Sequence, residues 1–436
     1  MINRNAHKRR AWINAEIVAP AQGLKGKGGI LVEDGWILAV GAQVTREMLG
    51  AGTEVTDCKG KLLIPGLIDM HVTTGEPGTE YRETLASASE AAAAGGVTTI
   101  IVMPNTQPVI DDAAIVDYVL RRARDTALVR VAPMAAITKG LSGELMSEIG
   151  LVKSAGAVAV TDATKAVANA NLFRRALMYA RDFDMLVVQH VEEPALATGV
   201  MNSGEAASRL GLSGISSMAE VIMLERDLRL VEMTGARYHA AQISCEQSID
   251  VIRAAKAHGL PVTCGVSINH LVLNENDIGA YRTFFKLSPP LRDENHRRAL
   301  VAAVIDGTID VIVSGHNPQS DDTKRLPFAE AAFGAIGLET MLSAALQLYH
   351  SENMPLERLV EAMSHMPANL LGLETGRLAA GAPADFVIVD PHLNWKVEAA
   401  KLCSRSKNTT FEDRTLEGRA FETVVAGNSV YNYASS

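Results

Sequence analysis

Residues 65–73 read Pro65-Gly66-Leu67-Ile68-Asp69-Met70-His71-Val72-Thr73, an apolar run that ends on one histidine with a threonine two positions beyond it. Side chains two residues apart on a strand point to the same side, so histidine at both positions would supply half of a zinc site. Here His71 offers a strong donor and Thr73 only a neutral hydroxyl. The stretch predicts a buried strand delivering polar residues at its C-terminal end. It also separates an enzyme reading from that of a scaffold whose metal chemistry has been lost.

Working outward from this strand, residues 65 to about 370 alternate continuous apolar runs with helical stretches. The runs are Val97–Met103, Ala157–Val160, Met185–Val188, Val262–Val266 and Val311–Val313. The helical stretches include Leu85–Ala94, Leu172–Arg181, Ser248–His258 and Glu330–Tyr349. Strands apolar on both faces, alternating with amphipathic helices, predict a parallel sheet covered by helices. The number of repeats favours an α/β fold of the (β/α)8 TIM barrel type over an open sheet. Chemistry in such a barrel collects at the C-terminal ends of the strands, where His71, Asn105, Asp162, His190, Gln242 and Gly315-His316 stand.

The two ends of the chain differ from this middle. Residues 12–64 hold short apolar segments broken by glycine, and Ala384–Asp390 and Thr423–Asn428 have the same character. They predict one small β-sandwich domain built from residues 1–64 and 375–436 around a barrel of residues 65–374. The glycine cluster Gly23, Gly26, Gly28 and Gly29 fits neither phosphate-loop spacing and reads as a hairpin turn.

Composition bounds the partners. The chain has 436 residues, 47% hydrophobic and 21% charged, with a formal net charge of −9. That length suffices for one large domain plus a smaller one, and the acidic balance argues against nucleic acid. The locally basic start (Arg4, Lys8, Arg9, Arg10) reads as a solvated tail. Four scattered cysteines, Cys58, Cys245, Cys264 and Cys403, make neither a disulfide framework nor a thiolate metal site. With no long apolar run and no signal-peptide pattern, the expectation is a cytoplasmic protein without membrane contact.

Several motifs taken together resemble the amidohydrolase superfamily and, within it, dihydroorotase. They are Pro65 to His71, Glu76-Pro77-Gly78, Met103-Pro104-Asn105-Thr106, Gln189-His190-Val191-Glu192-Glu193, His270-Leu271-Val272-Leu273, Pro289-Pro290-Leu291-Arg292 and Asp306-Gly307-Thr308-Ile309-Asp310. The resemblance implies an amidohydrolase barrel with a composite small domain. It also implies a metal set: a His-x-His pair after strand 1, an acidic or carboxylated-lysine bridge after strand 4, one His each after strands 5 and 6, and an Asp after strand 8. Carried over by position, His71, Asp162 and His190 match. Thr73, Gln242 and Gly315 stand where the other three ligands would be. The resemblance further implies a carboxylate-binding Arg at position 75, which is Gly here, and a substrate-binding Asn at 288, which is Ser. Asn105, Ser288 and His316 remain as substrate-pocket candidates.

Hydroxyl and amide oxygens are much poorer zinc ligands than imidazole, and glycine offers nothing. The Asp expected at 315 would also move the proton, and losing a general acid–base group costs about 10²–10⁴ in rate. The expectation is a dihydroorotase homologue of pyrimidine biosynthesis that is non-catalytic, needs no cofactor or at most one zinc on His71, Asp162 and His190, and acts as a homo-oligomeric structural partner of aspartate transcarbamoylase. The competing expectation is a zinc-dependent hydrolase of a cyclic amide such as dihydroorotate, a hydantoin or allantoin, working with a reduced metal site.

Overall fold

The computed structural model describes residues 9–435. Eight parallel strands form one sheet in chain order: Leu67–Val72, Val97–Val102, Arg130–Ala135, Ala159–Val160, Leu186–Gln189, Tyr238–Ala240, Val262–Ser267 and Val311–Val313. The eighth strand returns to the first. Val72 bridges His316 in parallel, and the Thr73 N–H donates to the His316 carbonyl at 2.8 Å. This is a (β/α)8 barrel, the architecture expected from the alternation of apolar runs and helices.

The strands are continuous apolar runs because both of their faces are covered. Ile68, Met70, Ile101, Met103, Met134, Leu186, Val188, Val311 and Val313 fill the inside, while Leu67, Val72, Ile100 and Val102 pack outward against helices. Helix starts are set by side chains that accept first-turn N–H groups. Thr84 forms a capping box with Ser87 before Leu85–Ala94, and Asp112, Asn169 and Asp293 cap Ala113–Thr126, Ala170–Asp182 and Glu294–Ile305.

One predicted helix is shorter than expected. In place of a helix over Glu330–Tyr349, helical structure begins at Met341 and runs to Ser351. Residues 330–340 form a loop in which Gly334 takes φ +121°, a conformation that breaks a helix. Ala335 bridges His316, so barrel closure overrides the local helix propensity.

Strands from both termini unite in a second, eight-stranded mixed sheet. Leu62–Pro65 pairs in parallel with Arg9–Ala19 and antiparallel with Phe386–Lys396. Trp12 packs edge-on against Phe386 at 4.8 Å between ring centres, and its Nε1 donates to Glu422 at 2.9 Å. Arg9 and Arg10 belong to the first strand and pair with Glu33 and Glu54, so this part of the basic start is not a free tail; Arg4 and Lys8 lie outside the described residues. Asp385, 1% exposed, ties the sheet to the barrel through a two-pronged contact with Arg130 at 2.6 and 3.2 Å. No helix among the described residues is long and apolar enough to cross a membrane.

Candidate functional site

A cleft of about 440 Å³ opens at the C-terminal ends of the barrel strands. Its lining includes His71, Thr73, Asn105, Gln242, Ser288 and Gly315, so the structure brings together six of the positions named from sequence. The first strand shows how His71 and Thr73 arrive there. Its pairing with the second strand is irregular between Asp69 and Val72. Met70 packs inside the barrel and Val72 outside, where strict alternation would put both on one face. Irregularities of this kind re-aim side chains at barrel rims.

The other two candidate ligands face a different environment. Asp162 and His190 are buried after the fourth and fifth strands but do not line the cleft. The Asp162 carboxylate accepts from the Thr138 N–H at 2.9 Å and from the Thr138 hydroxyl. Burial pushes its pKa above the ordinary value, against the pull of those donors. His190 Nε2 lies 3.2 Å from Glu192 and 3.3 Å from the Ser288 hydroxyl, which also donates to Glu192 at 3.3 Å. Burial favours the neutral form of Glu192, but contact with His190, Arg292 and Ser288 outweighs it and holds the carboxyl below its usual range. Burial and the nearby His190 lower His71 to about 4, so His71 is a neutral imidazole at physiological pH.

Among the described residues, three His, Cys, Asp or Glu ligand atoms come within 4.8 Å of one another only at His350, His392 and Glu417, away from the barrel mouth. His71, Asp162 and His190 therefore do not converge on a point, and the residues present do not fit the metal cage that the family resemblance implies.

The replaced positions are closed by backbone as well as by chemistry. Gly315 sits at φ +64°, and a Cβ added there would lie 3.0 Å from Ser267 Oγ and 3.4 Å from Gln242 Nε2. A Cβ on Gly75 would overlap the Thr79 carbonyl oxygen and come within 2.8 Å of the Glu83 carbonyl, so the loop leaves no room for the expected Arg. His316, read from sequence as a pocket residue, turns away from the cleft. It is fully buried, accepts the Gly337 N–H on Nδ1 at 3.2 Å and places Nε2 3.5 Å from Glu83. Glu83 is itself buried, which would raise its pKa, yet His316 and the Ser404 and Ser87 hydroxyls hold it below the usual carboxylate range.

Sequence reading missed Arg82, Ser267, Asn269 and Phe333, all of which line the cleft. Arg82 and Phe333 reach it from loops, where no periodicity marks a direction. Ser267 stands at the end of the seventh strand, a position that barrel logic could have flagged.

An eight-stranded parallel barrel with a polar cleft at its C-terminal rim and a composite small domain places this chain among the amidohydrolase-type barrels. Among solved structures, L-hydantoinase (dihydropyrimidinase) from Arthrobacter aurescens is similar with TM-score 0.88 at 25% identity, covering 98% of this chain and 96% of that one. Dihydropyrimidinase from Brevibacillus agri is similar in fold, with TM-score 0.83 at 21% identity, covering 97% and 95%. The family described as Dihydro-orotase-like matches residues 60–248. Among curated proteins, dihydroorotase from Pelobacter propionicus is 43% identical over 96% of this chain and 98% of its own length. Dihydroorotase from Citrifermentans bemidjiense is 44% identical over 95% and 97%. The chain belongs to the dihydroorotase-like family of the amidohydrolase superfamily.

Proposed function

We propose that this chain is a non-catalytic dihydroorotase homologue that serves, as a homo-oligomer in the cytoplasm, as a structural partner of aspartate transcarbamoylase. The observation that carries the reading is position 315. There the family resemblance puts an Asp that binds metal and moves the proton, and the chain has a glycine at φ +64° that offers neither donor nor base. Losing such a base costs about 10²–10⁴ in rate, and losing the metal leaves water at a pKa near 15.7 instead of about 7. Thr73 and Gln242 deepen the loss, and Asp162 and His190 are occupied by Thr138, Glu192 and Ser288. With these replacements, no cofactor or at most one zinc is needed. The partnership rests on the family resemblance and is tested by co-purification. Removing this chain should lower transcarbamoylase activity in the assembly, and a chain that stays alone refutes the partnership.

The alternative is a zinc-dependent cyclic-amide hydrolase. It is favoured by relatives named dihydroorotase at 43% and 44% identity over nearly the full length. Metal analysis with a dihydroorotate cyclisation assay separates the two. Stoichiometric zinc and a turnover above about 1 s⁻¹ would establish the hydrolase and remove the non-catalytic reading.

A further inference from the structure

His350, His392 and Glu417 come from parts of the chain that only the fold brings together, and one ligand atom of each lies within 4.8 Å of the others. Gly418 makes this approach possible. A Cβ there would overlap Leu346 Cδ1 and stand 3.1 Å from the Pro391 carbonyl oxygen. The helix Met341–Ser351 therefore lies directly on the strand Thr415–Val425 and sets His350, in its last turn, beside Glu417. Opposite Gly418 the strand Phe386–Lys396 is irregular. Asp390 pairs with Arg419 and Asn394 with Glu417, leaving Pro391, His392 and Leu393 as an excursion. Bulges re-aim side chains, and this one turns His392 to Glu417, with Nδ1 3.0 Å from Oε1. His350 Nε2 lies 3.8 Å from the same oxygen and 2.9 Å from the Pro391 carbonyl oxygen.

Two imidazoles and a carboxylate are the donor set of a three-ligand zinc site. In a tetrahedron with bonds of about 2.0–2.1 Å, neighbouring donor atoms stand about 3.3 Å apart. The observed 3.0 and 3.8 Å bracket that separation. Charge points the same way. Among the described residues the Glu417 carboxylate pairs with the two histidines and with no Lys or Arg, since the Arg419 guanidinium is held over the Trp395 and Tyr433 rings. The C-terminal end of a helix favours a cation, and His350 stands at one. His392 is exposed while His350 and Glu417 are partly buried, so an ion can enter from solvent without opening the fold, with water in the fourth position. We propose that His350, His392 and Glu417 form a site for a divalent transition ion of the zinc type, which clamps the barrel helix Met341–Ser351 to the small-domain sheet. The site lies away from the cleft, so it stands whether or not the cleft turns over a substrate.

The test is calorimetric titration of the full chain with zinc chloride, after dialysis against a chelator and back into chelator-free buffer. The parent is expected to take up one equivalent at this site. His392→Ala and Glu417→Gln should each weaken it at least about tenfold, since even a group that only orients a ligand is worth about 10–100-fold in metal affinity. His258→Ala removes an exposed histidine elsewhere on the surface and His71→Asn the barrel-mouth donor, and both should leave this equivalent in place. The His392 side chain is 74% exposed, so its loss leaves the fold intact. Zinc should raise the urea midpoint of the parent and not that of His392→Ala, as an ion that binds only the folded chain does. No uptake by the parent, undiminished uptake in His392→Ala and Glu417→Gln, or uptake lost in His258→Ala would overturn the site. Uptake lost in His71→Asn alone would overturn it too, and would put the zinc in the cleft. An equal rise of the urea midpoint in His392→Ala would overturn the clamp.

Discussion

Putting an aspartate back at position 315 tests both the alignment and the backbone argument. Gly315 is in the left-handed region at φ +64°, where an L-residue costs about 1–2 kcal/mol. A Cβ there stands 3.0 Å from Ser267 Oγ and 3.4 Å from Gln242 Nε2, so the neighbours must give by a few tenths of an ångström. Gly315→Ala is therefore expected to lose about 1–2 kcal/mol of stability, and Gly315→Asp a similar or smaller amount because Asp tolerates this conformation better. Urea unfolding measures the loss. Adding Thr73→His and Gln242→His supplies two imidazoles at the cleft wall, so zinc retained after dialysis should rise in the double variant and further in the triple, read by elemental analysis. A Gly315→Ala variant within about 0.5 kcal/mol of the parent, the range of an unconstrained surface change, would refute the backbone argument. Unchanged zinc in the triple variant would refute the alignment of positions 73, 242 and 315.

Three other outcomes follow from the same geometry. Gly75→Arg should destabilise by about 1–3 kcal/mol, the usual cost of overpacking, because its Cβ collides with the Thr79 and Glu83 carbonyls; thermal unfolding checks it, and a neutral result would mean the loop opens freely. Arg130→Ala leaves the buried Asp385 carboxylate without its half-exposed cation but still accepting from the Ala426 N–H, and should cost about 1–3 kcal/mol, seen as a lower urea midpoint. Burial, with Lys286 nearby, lowers Lys324 to about 7. Between pH 7 and the ordinary lysine value of 10.5 the unfolded chain binds a proton that the folded chain does not, so this group makes stability rise with pH across that window. Lys324→Met should flatten the rise, and an unchanged slope would refute the assignment.

Some of the site was legible because it depends on local order. His71, Asp162, His190 and Gln242 each stand at the end of an apolar run, and the structure places His71 at the C-terminal end of the first barrel strand and the other three just beyond the fourth, fifth and sixth. His316 was misplaced because sequence gives its position at the eighth strand's end but not its direction. Its ring turns to Glu83, more than two hundred residues earlier in the chain. The helix over Glu330–Tyr349 was overextended because the closing bridge from Ala335 to His316 is a non-local contact.

By itself the sequence determined the barrel, through apolar runs whose length and spacing demand cover on both faces, and it determined which donors were absent, because Thr73, Gln242 and Gly315 are matters of residue identity. Only the tertiary structure decided what the remaining groups do. Hydrogen bonds from Thr138 and contacts with Glu192 and Ser288 occupy Asp162 and His190, backbone carbonyls close the space beside Gly75, and a loop brings Arg82 to the cleft wall. Those outcomes depend on which atoms meet across the barrel rim, and side-chain direction and the charge balance of a cavity are set by groups far apart in the chain.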